Sequence, residues 1–193
     1  MEEITKLPVA RPKLLLFHKP AGYVVSKDDP HNKTIYKLLP EKYHKRYYIG
    51  RLDKESTGLL LLTNDPGLVD WYENPQSNIK KVYEVMIDKP FKSQHTKKAC
   101  KGIIVTDEGK IANEKKNETG ELLRCQQISY FRNDRGQYFV SIVLTEGKNR
   151  QIRRMLSALG YKVKSLHRTR IGQHLLGAIK SGKWSQIEVK PEK

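Results

Sequence analysis

A chain of 193 residues is long enough for one large domain or two small ones, and it buries roughly 70% of its unfolded surface on folding. Its 37 Lys and Arg against 21 Asp and Glu leave a net charge of +16, which points to a polyanionic partner, nucleic acid ahead of an anionic membrane. Hydrophobic residues make up 37% and gather in tracts such as 59–62 and 138–144, which excludes wholesale disorder, and no tract is long enough to span a bilayer.

Residues 1–13 read as a loose tail without an apolar h-region or a small-residue cleavage site, so the expected compartment is the cytoplasm. Leu14 to Phe17 is a short buried strand, followed by the turn His18–Gly22, a second strand over Tyr23–Val25 and a loop over Asp28–Asn32. Thr34 is placed to N-cap a short helix that runs to Leu39 and is stopped by Pro40. From Tyr47 onward a polar loop is held between two buried strands, and the uninterrupted Leu59-Leu60-Leu61-Leu62 implies burial on both faces. Lys81 to Ile87 alternates, with Lys81, Tyr83, Val85 and Ile87 on one face of a strand and Val82, Glu84 and Met86 on the other. Ser93 to Lys101 reads as a helix closed by Gly102, and the polar run Asn113–Gly120 as a hairpin tip or insertion. After the turn cluster Arg132–Gly136, Tyr138 to Leu144 reads as a central strand, apolar on both faces. The strongest helix signal follows, with Asn149 as N-cap, Gly160 just past the end, and Ile152, Met155, Leu156 and Leu159 along one apolar stripe. The expectation is an α+β fold around a largely antiparallel sheet.

Between Thr145 and Arg170 eight Lys and Arg face the single acid Glu146, the clustering that a phosphate backbone requires because each neutralised phosphate releases counterions. Asp53 stands out among the carboxylates, in a polar loop between buried strands with Arg51 and Lys54 beside it. Taken alone it fits an Asx turn or a cap as well as a catalytic group. No second carboxylate cluster completes a glycosidase pair, and no GxxxxGK[ST] phosphate loop is present. Cys100 and Cys125 sit apart without a CxxC, which indicates two ordinary thiols and neither a disulfide framework nor a zinc site. A metal-dependent nuclease using Asp53 and Asp65, and a non-catalytic RNA-binding or ribosome-assembly protein, remain as alternatives at this point.

The run Gly50-Arg51-Leu52-Asp53-Lys54-Glu55-Ser56-Thr57-Gly58 with its four leucines resembles the signature of the bacterial rRNA pseudouridine synthases, specifically the branch of small-subunit synthase A and large-subunit synthases B, E and F. His18–Tyr23, Lys81–Val85 and Glu146–Met155 agree in the same order. The resemblance implies a pseudouridine synthase catalytic domain over residues 14–190, its mixed sheet split into two subdomains by a central basic cleft. It implies isomerisation of uridine in ribosomal RNA to pseudouridine, with the base flipped out and with no cofactor or metal. Asp53 matches the essential aspartate, as nucleophile at C1′ or base at C2′; Tyr83 matches the tyrosine that stacks on the uracil, and Arg153 the arginine that pairs with the aspartate. Arg51 resembles the residue that enters the space left by the flipped base, and Lys19, Lys148, Arg150, Arg154, Arg168 and Arg170 are expected on RNA phosphates. Many members carry an additional N-terminal RNA-binding module for which Leu14 leaves no room, so the chain resembles the short members, with 23S rRNA preferred over 16S and a monomer as the expected state.

Overall fold

The structure, a computed structural model, describes residues 13–112 and 119–188. Among them, eleven strands and three α-helices form an α+β fold. One large sheet runs β11 (Trp184–Glu188), β1 (Lys13–Lys19), β3 (Thr57–Thr63), β9 (Val163–Ile171), β4 (Lys81–Ile87), β8 (Tyr138–Leu144) and β7 (Gln127–Arg132). β2 (Tyr47–Ile49) adds to β3, β10 (His174–Leu175) adds to β9, and β5 (Ile103–Val105) pairs with β6 (Glu121–Leu123) in a separate ribbon. Every strand pair is antiparallel except β3 with β9, which meet only through Thr57 opposite His167 and Gly58 opposite Arg168. The two halves of the sheet are therefore joined by a two-residue seam.

The leucine run explains itself in this arrangement. Leu60 and Leu62 face one core with Leu15 and Phe17, while Leu59 and Leu61 face a second core with Leu14, Leu16, Ile49 and Tyr72. All four leucines are fully buried, worth about 2 kcal/mol each in transfer free energy, so the strand that follows the Asp53 loop is a rigid foundation. Helix α1 (Pro66–Glu73) is opened by Asp65, whose carboxylate accepts from the Gly67 N–H at 2.8 Å, and contributes Tyr72 to the second core. Helices α2 (Gln94–Lys101) and α3 (Gln151–Ala158) cover the first core, α3 through the expected Ile152, Met155, Leu156 and Leu159 stripe.

Several local expectations need correction. Tyr23–Val25 forms no strand: Val24 makes one isolated bridge to Thr34, because Gly22, at φ +88°, donates instead to the Lys54 carbonyl and ties the segment to the Asp53 loop. The turn after Thr34 is a 3-10 helix over Ile35–Leu38 without a side-chain cap. The N-cap of α3 is Arg150, not Asn149, and it adopts left-handed backbone at φ +45°. Its other end closes as expected, with Gly160 at φ +85° donating to Ser157 and Tyr161 donating to Leu156. β8 lies inside the sheet between β4 and β7, yet its alternate residues Phe139, Ser141 and Val143 are only half-buried, so the expected burial on both faces is not met. The polar run at 113–118 falls outside the described residues. Cys100 and Cys125, 25 positions apart, are brought to 3.9 Å between sulfurs as free thiols, and burial beside Cys100 pushes the Cys125 thiol up to about 12.

Candidate active site

The seam between the half-sheets positions the candidate site. Loop 50–56 enters β3 just before Gly58, and at φ +110° a Cβ on Gly58 would stand 2.3 Å from the Arg168 carbonyl oxygen, so only glycine lets β3 and β9 approach this closely. Tyr83 on β4 sits opposite Arg168 across the neighbouring ladder. Asp53, Tyr83 and Arg168 are therefore gathered by strand pairing rather than by sequence proximity.

Lys19, at the end of β1, secures the loop from beneath. Its side chain is fully buried, and the ammonium donates to the carbonyls of Ser56 at 2.7 Å, Pro20 and Asp53 at 3.0 Å and Lys54 at 3.3 Å. Burial pushes this ammonium down to about 8, against the pull of the Asp53 and Glu55 charges, with Arg168 pushing it down further. Ser56 N–H also donates to the Asp53 carbonyl, so the turn that carries the carboxylate is held at both ends.

Above the loop, α3 supplies two guanidinium groups. Asp53 Oδ2 lies 3.3 Å from Arg150 Nη1 and 3.6 Å from Arg153 Nε, while Glu55 Oε1 lies 2.8 Å and 3.5 Å from the same two nitrogens. Arg153 also donates to Ser56 Oγ at 3.3 Å, whereas its Nε is buried without a hydrogen bond. Gln151 stitches the turn before the helix, donating to Glu146 Oε1 and the Arg124 carbonyl and accepting from the Lys148 N–H.

Tyr83, only 7% exposed, forms a wall of a pit of about 90 Å³ shared with Asp53, Leu144, Ile152, Arg153 and Leu166. A wider cleft of about 980 Å³ shares that wall and is rimmed by Arg51, Lys54, Lys148 and Arg150. A carboxylate fixed by its backbone, opposed by arginine, beside an aromatic wall and below a cationic rim is suited to acid–base or nucleophilic work on one unit of a polyanion.

The sequence profile described as RNA pseudouridylate synthase matches residues 13–158. The chain belongs to this family. It is 34% identical over 168 residues to the ribosomal small subunit pseudouridine synthase A of Vibrio vulnificus, which covers 86% of the chain and 66% of that relative. Among solved structures it resembles one described as a pseudouridylate synthase, with a TM-score of 0.75 and 29% identity over 91% of this chain and 70% of that one. A Cbf5-Nop10-Gar1 complex matches at a TM-score of 0.54 and 17% identity, covering 83% of this chain and 49% of that one, which shows a shared fold alone.

Within this pseudouridylate synthase fold, three of the cations expected on RNA phosphates are placed elsewhere. Lys19 is the buried loop clamp described above. Arg154 is 8% exposed and binds Glu121 at 2.8 Å, Asp107 at 3.4 Å and the Val105 carbonyl, which fastens the β5–β6 ribbon to α3. Arg168 is 2% exposed; its Nε donates to the Leu59 carbonyl at 2.7 Å, its Nη1 contacts Tyr83 Oη at 3.5 Å, and its Nη2 has no partner. Arg168 nevertheless also lines the wider cleft beside Lys81 and Tyr83, so its guanidinium is shared between the interior and the cleft wall. Arg170 is exposed further along β9, outside the cleft wall, and donates to the Gly172 carbonyl. Arg51, Lys148 and Arg150 do line the cleft, Lys148 with its ammonium on the Leu122 carbonyl and near Glu121 and Glu146. Asp65, spent on capping α1, is not part of the site, and no group of three or more potential metal ligands occurs among the described residues. Nor does any described helix have the length and apolarity to cross a membrane.

Sequence reasoning gave no site role to Gln151 or Lys81, and it set Glu55 aside because it completes neither a glycosidase pair nor a two-metal site with Asp53. Glu55 had its signal, a second carboxylate two positions from Asp53 in the same loop. Lys81 is buried at the cleft wall, where burial and then Arg168 push its ammonium below the usual lysine range.

Proposed function

We propose that the chain isomerises specific uridines of ribosomal RNA to pseudouridine, acting as a monomer in the cytoplasm on free, precursor or assembling rRNA, with residues 14–190 as the catalytic unit. The observation that carries this reading is the Asp53 carboxylate, on a backbone clamped by Lys19, at the mouth of a pit walled by Tyr83 in a chain of this family. In the proposed reaction the target base leaves its stack and enters against the Tyr83 ring, whose burial makes it a rigid aromatic face. Asp53 then attacks C1′ or removes the C2′ proton, the N1–C1′ bond breaks, uracil turns, and C5 bonds to the same ribose while its hydrogen passes to water. Arg153 keeps the carboxylate aimed, and the rim cations take the flanking phosphates, with Arg51 at the place vacated by the base.

The Vibrio vulnificus relative carries the small subunit in its name, which favours 16S rRNA; the 23S preference rests on resemblance to the short members and gains nothing from that name. Both transcripts and precursor subunits, tritiated at uracil C5, therefore belong in the assay. Tritium release by the wild type with none from Asp53→Asn, at retained fold and RNA affinity, is the expected result. Equal release by both would remove Asp53 from the mechanism, and binding without release on any substrate would leave a non-catalytic RNA-binding protein.

A further inference from the structure

Glu55 stands in a cleft that must admit a polyanion, where an added negative charge opposes binding unless it serves some other purpose. Its carboxylate is half-exposed and sits 2.8 Å from Arg150 Nη1. Partial burial pushes its carboxyl up, but its own backbone N–H and then Arg150 and Arg153 outweigh that and hold it below the usual range. Arg150, on left-handed backbone at the cleft rim, spans Glu55 and Asp53 with its side chain still half-exposed. Between the two carboxylates the buried Arg153 Nε lies 3.5 and 3.6 Å away and is hydrogen-bonded to neither. The single Nε–H is thus left between two carboxylates and bonded to neither, an arrangement that a change of partner at either carboxylate would resolve. A phosphate and a carboxylate offer a guanidinium the same pair of acceptor oxygens.

We propose that Glu55 is an internal stand-in for an RNA phosphate: it holds Arg150 while the cleft is empty and yields it to a backbone phosphate on binding. This rests on RNA being the ligand of the cleft, and it makes Glu55 a positioning residue that acts through Arg150. It also means that one rim cation is withheld from RNA that does not seat a phosphate at that point.

The test measures binding of a uridine-free oligocytidine across a salt series, for the wild type, Glu55→Gln, Arg150→Gln and the double variant. Because the probe cannot be isomerised, its outcome is independent of the tritium assay, which judges the proposed reaction separately. Glu55→Gln is expected to bind roughly two- to fivefold tighter at low salt, the effect of freeing one exposed pair, and to steepen the salt slope by up to about 0.7, the share of one single-strand phosphate. Arg150→Gln should be weaker than wild type, and the double variant should match it. An unchanged affinity and slope in Glu55→Gln, or the same gain when Arg150 is absent, would overturn the proposal. Glu55→Ala, which removes the acceptor altogether, should show the same gain or a larger one, and its absence would likewise overturn the proposal.

Discussion

Replacing Lys19 with Met keeps most of the side-chain volume and removes the ammonium from beneath the Asp53 loop. Four carbonyls crowd that ammonium, three of them within 3.0 Å, and its three protons can serve only three at a time. At about 1 kcal/mol net for each bond, and with part returned by no longer burying a charge, the variant should lose about 2–3 kcal/mol of stability. For a chain of this size that is roughly 5–10 °C in Tm, measured by calorimetry and by denaturant unfolding. The larger effect is expected in turnover: with the Asp53 and Ser56 carbonyls released, the carboxylate loses its registration against Arg153, and kcat in the tritium assay should fall on the order of 10 to 100-fold with little change in KM. Lys19→Arg should not rescue, since a fully buried site shaped for an ammonium has no room for a guanidinium fork. A Lys19→Met protein with wild-type Tm and wild-type kcat would refute the clamp.

The same lysine predicts opposing pH responses. Its pKa is depressed in the fold from 10.5 to about 8, so the unfolded chain binds more protons between those values and Lys19 adds stability as pH rises through that window; kcat should fall over it as the ammonium is lost, a divergence that Lys19→Met abolishes. Gly58→Ala forces a Cβ to 2.3 Å from the Arg168 carbonyl at a left-handed φ and should cost about 3 kcal/mol or more, read as a lowered denaturation midpoint. Arg168→Met should leave the salt slope of RNA binding unchanged, because the guanidinium is buried, and should instead lower Tm and kcat through Leu59 and Tyr83; a slope reduced by one phosphate would return Arg168 to the RNA contacts. Arg153→Met should abolish tritium release at retained RNA affinity, and residual turnover near wild type would show that Arg150 alone suffices to hold Asp53.

Much of this architecture was legible locally because burial imprints a period on the residues. The alternation at Lys81–Ile87 gave the face that carries Tyr83, the leucine run announced a strand buried on two sides, and the stripe from Ile152 to Leu159 announced the helix that carries Arg153. Gly160 was a sound end for that helix because its left-handed φ is a local property. Its start was misplaced by one residue: Arg150 is the cap residue, on left-handed backbone and without a side-chain cap, beside the Gln151 hydrogen bonds and the two carboxylates that only the fold brings there.

Charge was the least local property. The basic run 145–170 implied a polyanion-facing region in outline, yet Arg154 turns inward and Arg168 is buried on the cleft wall while Lys148 and Arg150 stand at the cleft rim, and in sequence the four look alike. What the amino-acid sequence determined by itself was the strands around the Asp53 loop, the Tyr83 strand, the Tyr138–Leu144 strand and the helix of Arg153, the presence of Asp53 in a polar loop, and the excess of positive charge. Only the tertiary structure decided which cations meet solvent, because that depends on where β9 crosses β3 and on which carbonyls the crossing leaves in need of a donor: Lys19 and Arg168 answer to the carbonyls of the loop and of Leu59, partners 34 to 109 positions away, and a group so buried is committed to those acceptors before any ligand arrives.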